Sequence, residues 1–377
     1  MKKALLTLTA LLCACLCACG VAETAPPDGF APPAATRYAE RFTIAYDAAG
    51  RALVTIDGAE RFLVVPDGAD APDTSDGVTV LRVPLRMIYV AASSAMDFFC
   101  RLDALDAVRF TATAYDNWSL PAVRDAIGAR EILYAGKYSA PDFELLLSEH
   151  CTLALESTMI YHSPDILERL EALGVPVLVE RSSYETDPLG RMEWIKLYGL
   201  LTGREAEAAA FFDEQAQRVE SIRAEEATGM TAAFFSVSPN GYVNVRKPGD
   251  YVSKMIEFAG GEYALSGALP EAENARYAAN MQMEAFYAAA RDADILIYDG
   301  TIDGGMETLK QLYGKSGLFR DFKAARNGNV WCAERNLFQE PTAAGGVIAD
   351  LRAIFSGAAD GETRLTYLHR LSGEETP

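Results

Sequence analysis

The chain has 377 residues, half of them apolar, and carries a formal net charge of −19. That charge opposes binding to nucleic acid or to an anionic membrane surface, since both would repel it. With only three histidines, His150, His162 and His369, a resident metal site built mainly of imidazoles is out of reach, and no Gly-x-Ser-x-Gly elbow, His-Glu-x-x-His, phosphate loop or nucleotide-binding glycine fingerprint is present.

Met1-Lys2-Lys3 followed by the apolar run Ala4 to Leu16 is too short to span a bilayer and reads as a signal peptide over 1–19. It ends in Leu16-Cys17-Ala18-Cys19-Gly20, a small residue before a cysteine three places after a leucine, the pattern of a lipoprotein signal-peptidase site. Cys19 is the expected lipidation site and Cys15 the second choice, which places the protein on the extracytoplasmic face of a cell membrane, held by lipid alone. Residues 20–37, rich in Pro and Ala, read as a disordered tether. The remaining three cysteines, Cys100, Cys151 and Cys332, lie among apolar residues and read as buried thiols.

About 340 residues remain, enough for two domains each with its own core. Residues 41–65 alternate like strands around the turn signals Ala48-Ala49-Gly50 and Asp57-Gly58, so a β-meander is expected at the start. Strands are then expected near 78–83, 108–112, 132–135, 152–156 and 176–180, with helices near 93–105, 119–127, 141–148 and 163–173. Strands alternating with helices imply a parallel sheet covered on both faces.

Asp187-Pro188 supplies a helix N-cap and first-turn proline, and a long helical pattern follows to about 225, with a weak point at Thr202-Gly203. Beyond Gly229 the alternation resumes, with strands near 231–237, 242–245, 293–298 and 329–332 and helices near 249–259, 281–291, 306–313, 317–325 and 342–356. The expected fold is α/β: two Rossmann-like lobes with mainly parallel sheets, an N-terminal lobe over 38–187 and a C-terminal lobe over 228–377, joined by a long bridging helical segment over 188–227.

In open parallel sheets the ligand crevice lies beyond the carboxyl ends of the strands. There the first lobe offers Tyr115, Asn117 and Trp118, then Lys137 and Tyr138, then Ser157, Thr158, Met159 and Tyr161, then Arg181 and Tyr184. The second offers Asn240, Tyr242 and Arg246, then Trp331, Arg335 and Gln339. Flat faces with a few cations suit a bulky, partly anionic ligand, although any one tyrosine serves equally well as a half-buried packing residue. Ser157 and His162 form a nucleophile and base only on paper, since nothing orients a third group. Glu144 and Glu284 each open a helix that feeds a strand, which by itself is ordinary charge placement at a helix N-terminus.

The order and spacing of four stretches give the chain a resemblance to the substrate-binding proteins of iron-complex and cobalamin ABC importers. They are Gly136-Lys137-Tyr138-Ser139-Ala140-Pro141-Asp142-Phe143-Glu144, Glu156-Ser157-Thr158-Met159-Ile160, the run from Arg181-Ser182-Ser183-Tyr184-Glu185 to Trp194, and Gly328-Asn329-Val330-Trp331-Cys332. The resemblance extends from about Phe42 to Phe355. It implies a shallow cleft between rigid lobes and capture without catalysis or cofactor. It further implies a monomer partnered by an ABC permease and its ATPase, with Glu144 and Glu284 as the carboxylates that meet the permease. The cargo would be a metal chelate: a ferric siderophore, haem or a cobamide. No metal-ligating side chain is assigned, and Arg181, Arg246 and Arg335 favour carboxylate, catecholate or phosphate groups on the ligand. A cell-envelope enzyme acting in the same cleft is the alternative reading, and a scaffold lipoprotein with a degenerate pocket is the third.

Overall fold

The computed structural model describes residues 29–34, 36–72, 77–269, 278–301, 303–360 and 364–373. The expected lipidation site Cys19, its alternative Cys15 and the signal peptide lie outside the described residues. The end of the expected tether is engaged: Ala31 and Ala34 donate their N–H groups to Tyr46 and Ile44, so this segment borders the first sheet.

The first sheet has the order β1 (Phe42–Tyr46), β2 (Ala52–Ile56), β3 (Glu60–Pro66), β4 (Val78–Val83). Its first three strands are the expected antiparallel meander, but β4 joins β3 in parallel instead of opening the next sheet. That place falls to β5 (Ile88–Val90), three fully buried residues too short to give a sequence period. The first lobe continues with α1 (Ala95–Arg101), β6 (Val108–Thr111), α2 (Pro121–Gly128), β7 (Leu133–Tyr134), the β8 (Gly136–Lys137) and β9 (Ala140–Pro141) hairpin, α3 (Phe143–Ser148), β10 (Leu153–Ser157), α4 (Pro164–Ala172) and β11 (Val177–Glu180). Its sheet is fully parallel, ordered β11-β10-β5-β6-β7.

The bridging segment is helical in three stretches, α5 (Pro188–Glu193), α6 (Ile195–Thr202) and α7 (Glu205–Arg223). Asp187 caps α5 by accepting the Leu189 N–H at 2.7 Å, a contact that typically stabilises by about 1 kcal/mol. Gly203, at φ 71°, stops α6 in the left-handed conformation that glycine adopts without strain. At Gly199 a Cβ would sit 2.6 Å from the Cβ of Ala208, so only glycine lets α6 and α7 cross this closely. Two carboxylates tie the chain's start to this bridge. Glu193 accepts the N–H groups of Arg37, Tyr38 and Ala39, and Glu185 accepts those of Glu40 and Arg41 and the Trp194 indole. Burial alone would raise the pKa of Glu193, but Lys196 and the backbone donors hold it below the usual glutamate value.

The second lobe comprises β12 (Thr231–Val237), β13 (Val243–Arg246), α8 (Tyr251–Phe258), β14 (Glu262–Tyr263), β15 (Ala278–Met281), α9 (Met283–Ala290), β16 (Ile295–Asp299), α10 (Leu309–Lys315), α11 (Lys323–Arg326), β17 (Val330–Ala333), α12 (Ala344–Phe355) and β18 (Leu368–Arg370). The sheet is parallel at its centre, where β12 pairs with β14 and β16, and β16 with β17. Antiparallel β13, β15 and β18 flank it. Instead of two separate cores, one contiguous apolar cluster runs from Val54 and Phe98 through Trp194 and Tyr198 to Phe235 and Ile348. The bridge causes this, because α6 is buried on nearly every face and stacks Tyr198 on Phe98 at 4.6 Å between ring centroids. A second, smaller cluster fills the far face of the first lobe's sheet.

Candidate functional site

The loop after β6 is built around Trp118, which lies in the core and donates its indole N–H to the Thr113 carbonyl at 3.1 Å. This anchor turns the loop outward, leaving Tyr115 exposed beneath the Arg124 guanidinium and carrying Asn117 and Ser119 to the other lobe. There Gln339 clasps the loop: its Nε2 donates to the Asn117 carbonyl at 2.8 Å and its Oε1 accepts the Ser119 N–H at 2.8 Å. A second bridge is buried, where Asp97 at the start of α1 accepts the backbone N–H and hydroxyl of Thr342. Burial pushes the Asp97 carboxyl up to about 6, opposed by those two bonds.

Phe338, beside Gln339, joins three parts of the molecule. Its carbonyl accepts from Arg191 on α5 at 3.3 Å, and its ring lies 4.5 Å from the Arg246 guanidinium carbon. Arg191 in turn covers the Tyr251 ring at 4.4 Å. The Arg246 guanidinium stands 3.8 Å from Asp250 and 3.6 Å from Asp299. Burial by itself would lower the Arg246 pKa, but Tyr251 and these two carboxylates more than offset it and raise it. Asp250 caps α8 through the Val252 N–H, and Asp299 caps its own turn through the Thr301 N–H and hydroxyl. These loops and the bridge therefore meet in one polar seam between the lobes.

Of the residues expected to line the site, Asn117, Arg246 and Gln339 belong to this seam. Trp118 and Trp331 do not present their rings to a crevice: both are 3% exposed, and Trp331 sits on β17, an interior strand, with Arg370 over its face. Arg181 is occupied by Asp57 at 2.7 Å and Glu60 at 3.0 Å on the first sheet, together with the Tyr161 hydroxyl at 2.7 Å. The arginine expected to meet the ligand is thus a strut between the meander and the lobe. Burial, then the Glu60 charge, pushes the Tyr161 phenol up to about 12, although its ring stays exposed. Tyr184 bonds to the Thr158 hydroxyl, and Met159 is exposed beside them. Lys137 is exposed and Tyr138 half-buried on the β8–β9 hairpin. Asn240 and Tyr242 are exposed on the β12–β13 turn, where Ser238 bonds Asn240. Arg335 is exposed and makes no ion pair among the described residues.

Sequence reasoning missed Asp97, Arg191, Asp250, Asp299, Phe338 and Thr342. Asp299 carried a usable signal, standing before Gly300 at the carboxyl end of a hydrophobic strand. Arg191 and Phe338 carried none, because they meet each other across 147 positions and their other partners, Tyr251 and Arg246, also lie far away in sequence. The Ser157 hydroxyl accepts the Met159 N–H as a helix cap, and no bond to His162 occurs among the described residues. Glu144 and Glu284 are both exposed in the first turns of α3 and α9.

The chain is 22% identical over 276 residues to an uncharacterized lipoprotein of Methanocaldococcus jannaschii, a match covering 70% of this chain and 63% of that relative. Two solved structures from Vibrio cholerae share the fold. One is a periplasmic haem-binding protein, with a TM-score of 0.57 and 15% identity over 73% of this chain and 99% of that one. The other is a periplasmic vitamin B12-binding protein, with a TM-score of 0.52 and 12% identity over 74% and 99%. The two-lobe fold with its helical bridge is the one those proteins have, and the profile of the periplasmic binding protein family matches residues 92–335. The chain belongs to the periplasmic binding protein family.

Proposed function

We propose that this protein captures a metal chelate (a ferric siderophore, haem or a cobamide) in the seam between its lobes and delivers it to an ABC permease driven by an ATPase. It acts as a monomer lipid-anchored at Cys19 on the extracytoplasmic face and performs no chemistry on its cargo. The observation that carries this reading is the meeting of the loop after β6 with the loop after β17 through Gln339, which brings Asn117, Phe338 and Arg246 to one seam between the lobes. Strand-end loops of two sheets facing each other are where α/β folds hold small molecules. The haem and vitamin B12 named for the two Vibrio cholerae proteins support a large chelate as cargo.

Glu144 and Glu284, one exposed carboxylate per lobe, serve as the two docking points for basic residues of the permease. The test is chelate uptake by cells carrying the full-length protein with Glu144→Arg and Glu284→Arg together. Uptake is expected to be lost while chelate affinity in vitro stays unchanged; normal uptake would contradict the docking role.

A further inference from the structure

We infer that the interlobe seam selects chelates of neutral or positive net charge and disfavours polyanionic ones. This deepens the capture reading above and rests on it. Two of the three arginines that gave reason to expect an anionic ligand, Arg181 and Arg246, are already paired with carboxyl groups. Arg246 faces Asp250 and Asp299, both nearly inaccessible to solvent; burial raises the pKa of each, and Arg246 and the N–H bonds each accepts oppose that rise. Arg191 is buried, and its guanidinium is taken up by the Phe338 carbonyl and the face of the Tyr251 ring. Arg181 and Arg41 are spent on Asp57 and Glu60. Across the seam and its flank, Arg246, Arg181 and Arg41 thus face four carboxyl groups, so none of these guanidiniums is left over to balance an anionic ligand.

The cations left over, Lys137 and Arg335, are exposed and screened by water, and weigh less. The molecule's net charge of −19 adds a long-range field that slows the approach of polyanions. What the seam does offer is rings: Phe338 inside it and the exposed tyrosines Tyr115 and Tyr242 on the two flanking loops, whose faces suit neutral macrocycles and cationic complexes.

The experiment is a competition titration of the full-length protein in detergent with four probes. A ferric trihydroxamate and cyanocobalamin are neutral or cationic; a ferric tricatecholate and ferrous haem, with its two propionates, are polyanionic. One of the first pair is expected to bind about tenfold or more tightly than either polyanion, with the gap narrowing as salt is added. Asp250→Asn with Asp299→Asn is expected to narrow it too, and the salt series on the unaltered protein stands even if that variant does not fold. Tightest binding by either polyanion overturns the charge selection while leaving the capture reading intact. Binding of none of the four overturns the capture reading, and the selection with it.

Discussion

Glu156, at the carboxyl end of β10, is fully buried, and neither of its carboxyl oxygens has a hydrogen-bond partner among the described residues. Burial pushes this carboxyl up to about 8, so the folded chain holds a proton that the unfolded chain releases above its ordinary value of 4.5. Stability is therefore expected to fall as pH rises between those values and to level off beyond the upper one. Glu156→Gln should remove that slope, gaining on the order of 2–4 kcal/mol above pH 8 and little near pH 4.5, read as the difference in Tm between variant and parent. His369 lies in the other lobe, on β18. Its Nδ1 lies 2.7 Å from the Glu334 carboxylate and its Nε2 2.9 Å from the Met306 carbonyl, both acceptors, so both ring nitrogens must donate. Burial lowers its pKa, but those partners outweigh it and raise it, giving stability that is present below the ordinary histidine value and lost as pH rises through the folded one. His369→Gln should accordingly cost about 1 kcal/mol near pH 6 and less near pH 9 in paired melting curves. At this scale the sequence showed which residue types were available and not what they touch. Arg181 and Arg246 read as ligand-binding cations because Asp57 and Glu60 lie more than a hundred positions upstream of the first and Asp299 some fifty downstream of the second, with only Asp250 close in sequence. The tryptophans read as ligand faces because a core anchor and a stacking platform look alike in one dimension.

Elements were far more legible, since most strands and helices of both lobes carry their own period and their own punctuation. Asp187-Pro188 marked the start of the bridge and Gly203 its main break, and both act through local geometry. The reassignment of β4 to the meander sheet and of β5 to the lobe had no local signal, because pairing partners are a tertiary choice. The same holds for Trp194, between α5 and α6, whose ring meets Phe42 at 5.1 Å and whose indole meets Glu185. The α6–α7 crossing is a close contact between helices. Gly199→Ala would gain up to about 1 kcal/mol in helix propensity, yet the 2.6 Å approach to Ala208 forces the helices apart. The net effect is expected to be a loss of about 1–3 kcal/mol in denaturant unfolding, and a stabilised variant would show that the crossing is loose.

For the whole molecule the decisive feature is that the apolar core does not divide between the lobes. Three bridging helices, the buried Asp97–Thr342 contact and the Gln339 clasp all oppose a wide hinge motion. Chelate binding is therefore expected to leave the radius of gyration in solution scattering nearly unchanged, whereas a marked contraction would point to a flexible hinge. The two-lobe plan was legible from the alternation of strands and helices, but the continuity of the core was not, because it depends on α6 being wrapped by residues from both halves. The central claim is that cargo sits in the seam and touches both lobes. Amide hydrogen exchange of the full-length protein, with and without the chelate that binds tightest, tests it most directly. Protection is expected to rise together in residues 113–119 and 334–342; protection confined to one lobe, or conversion of the chelate during the experiment, would contradict it.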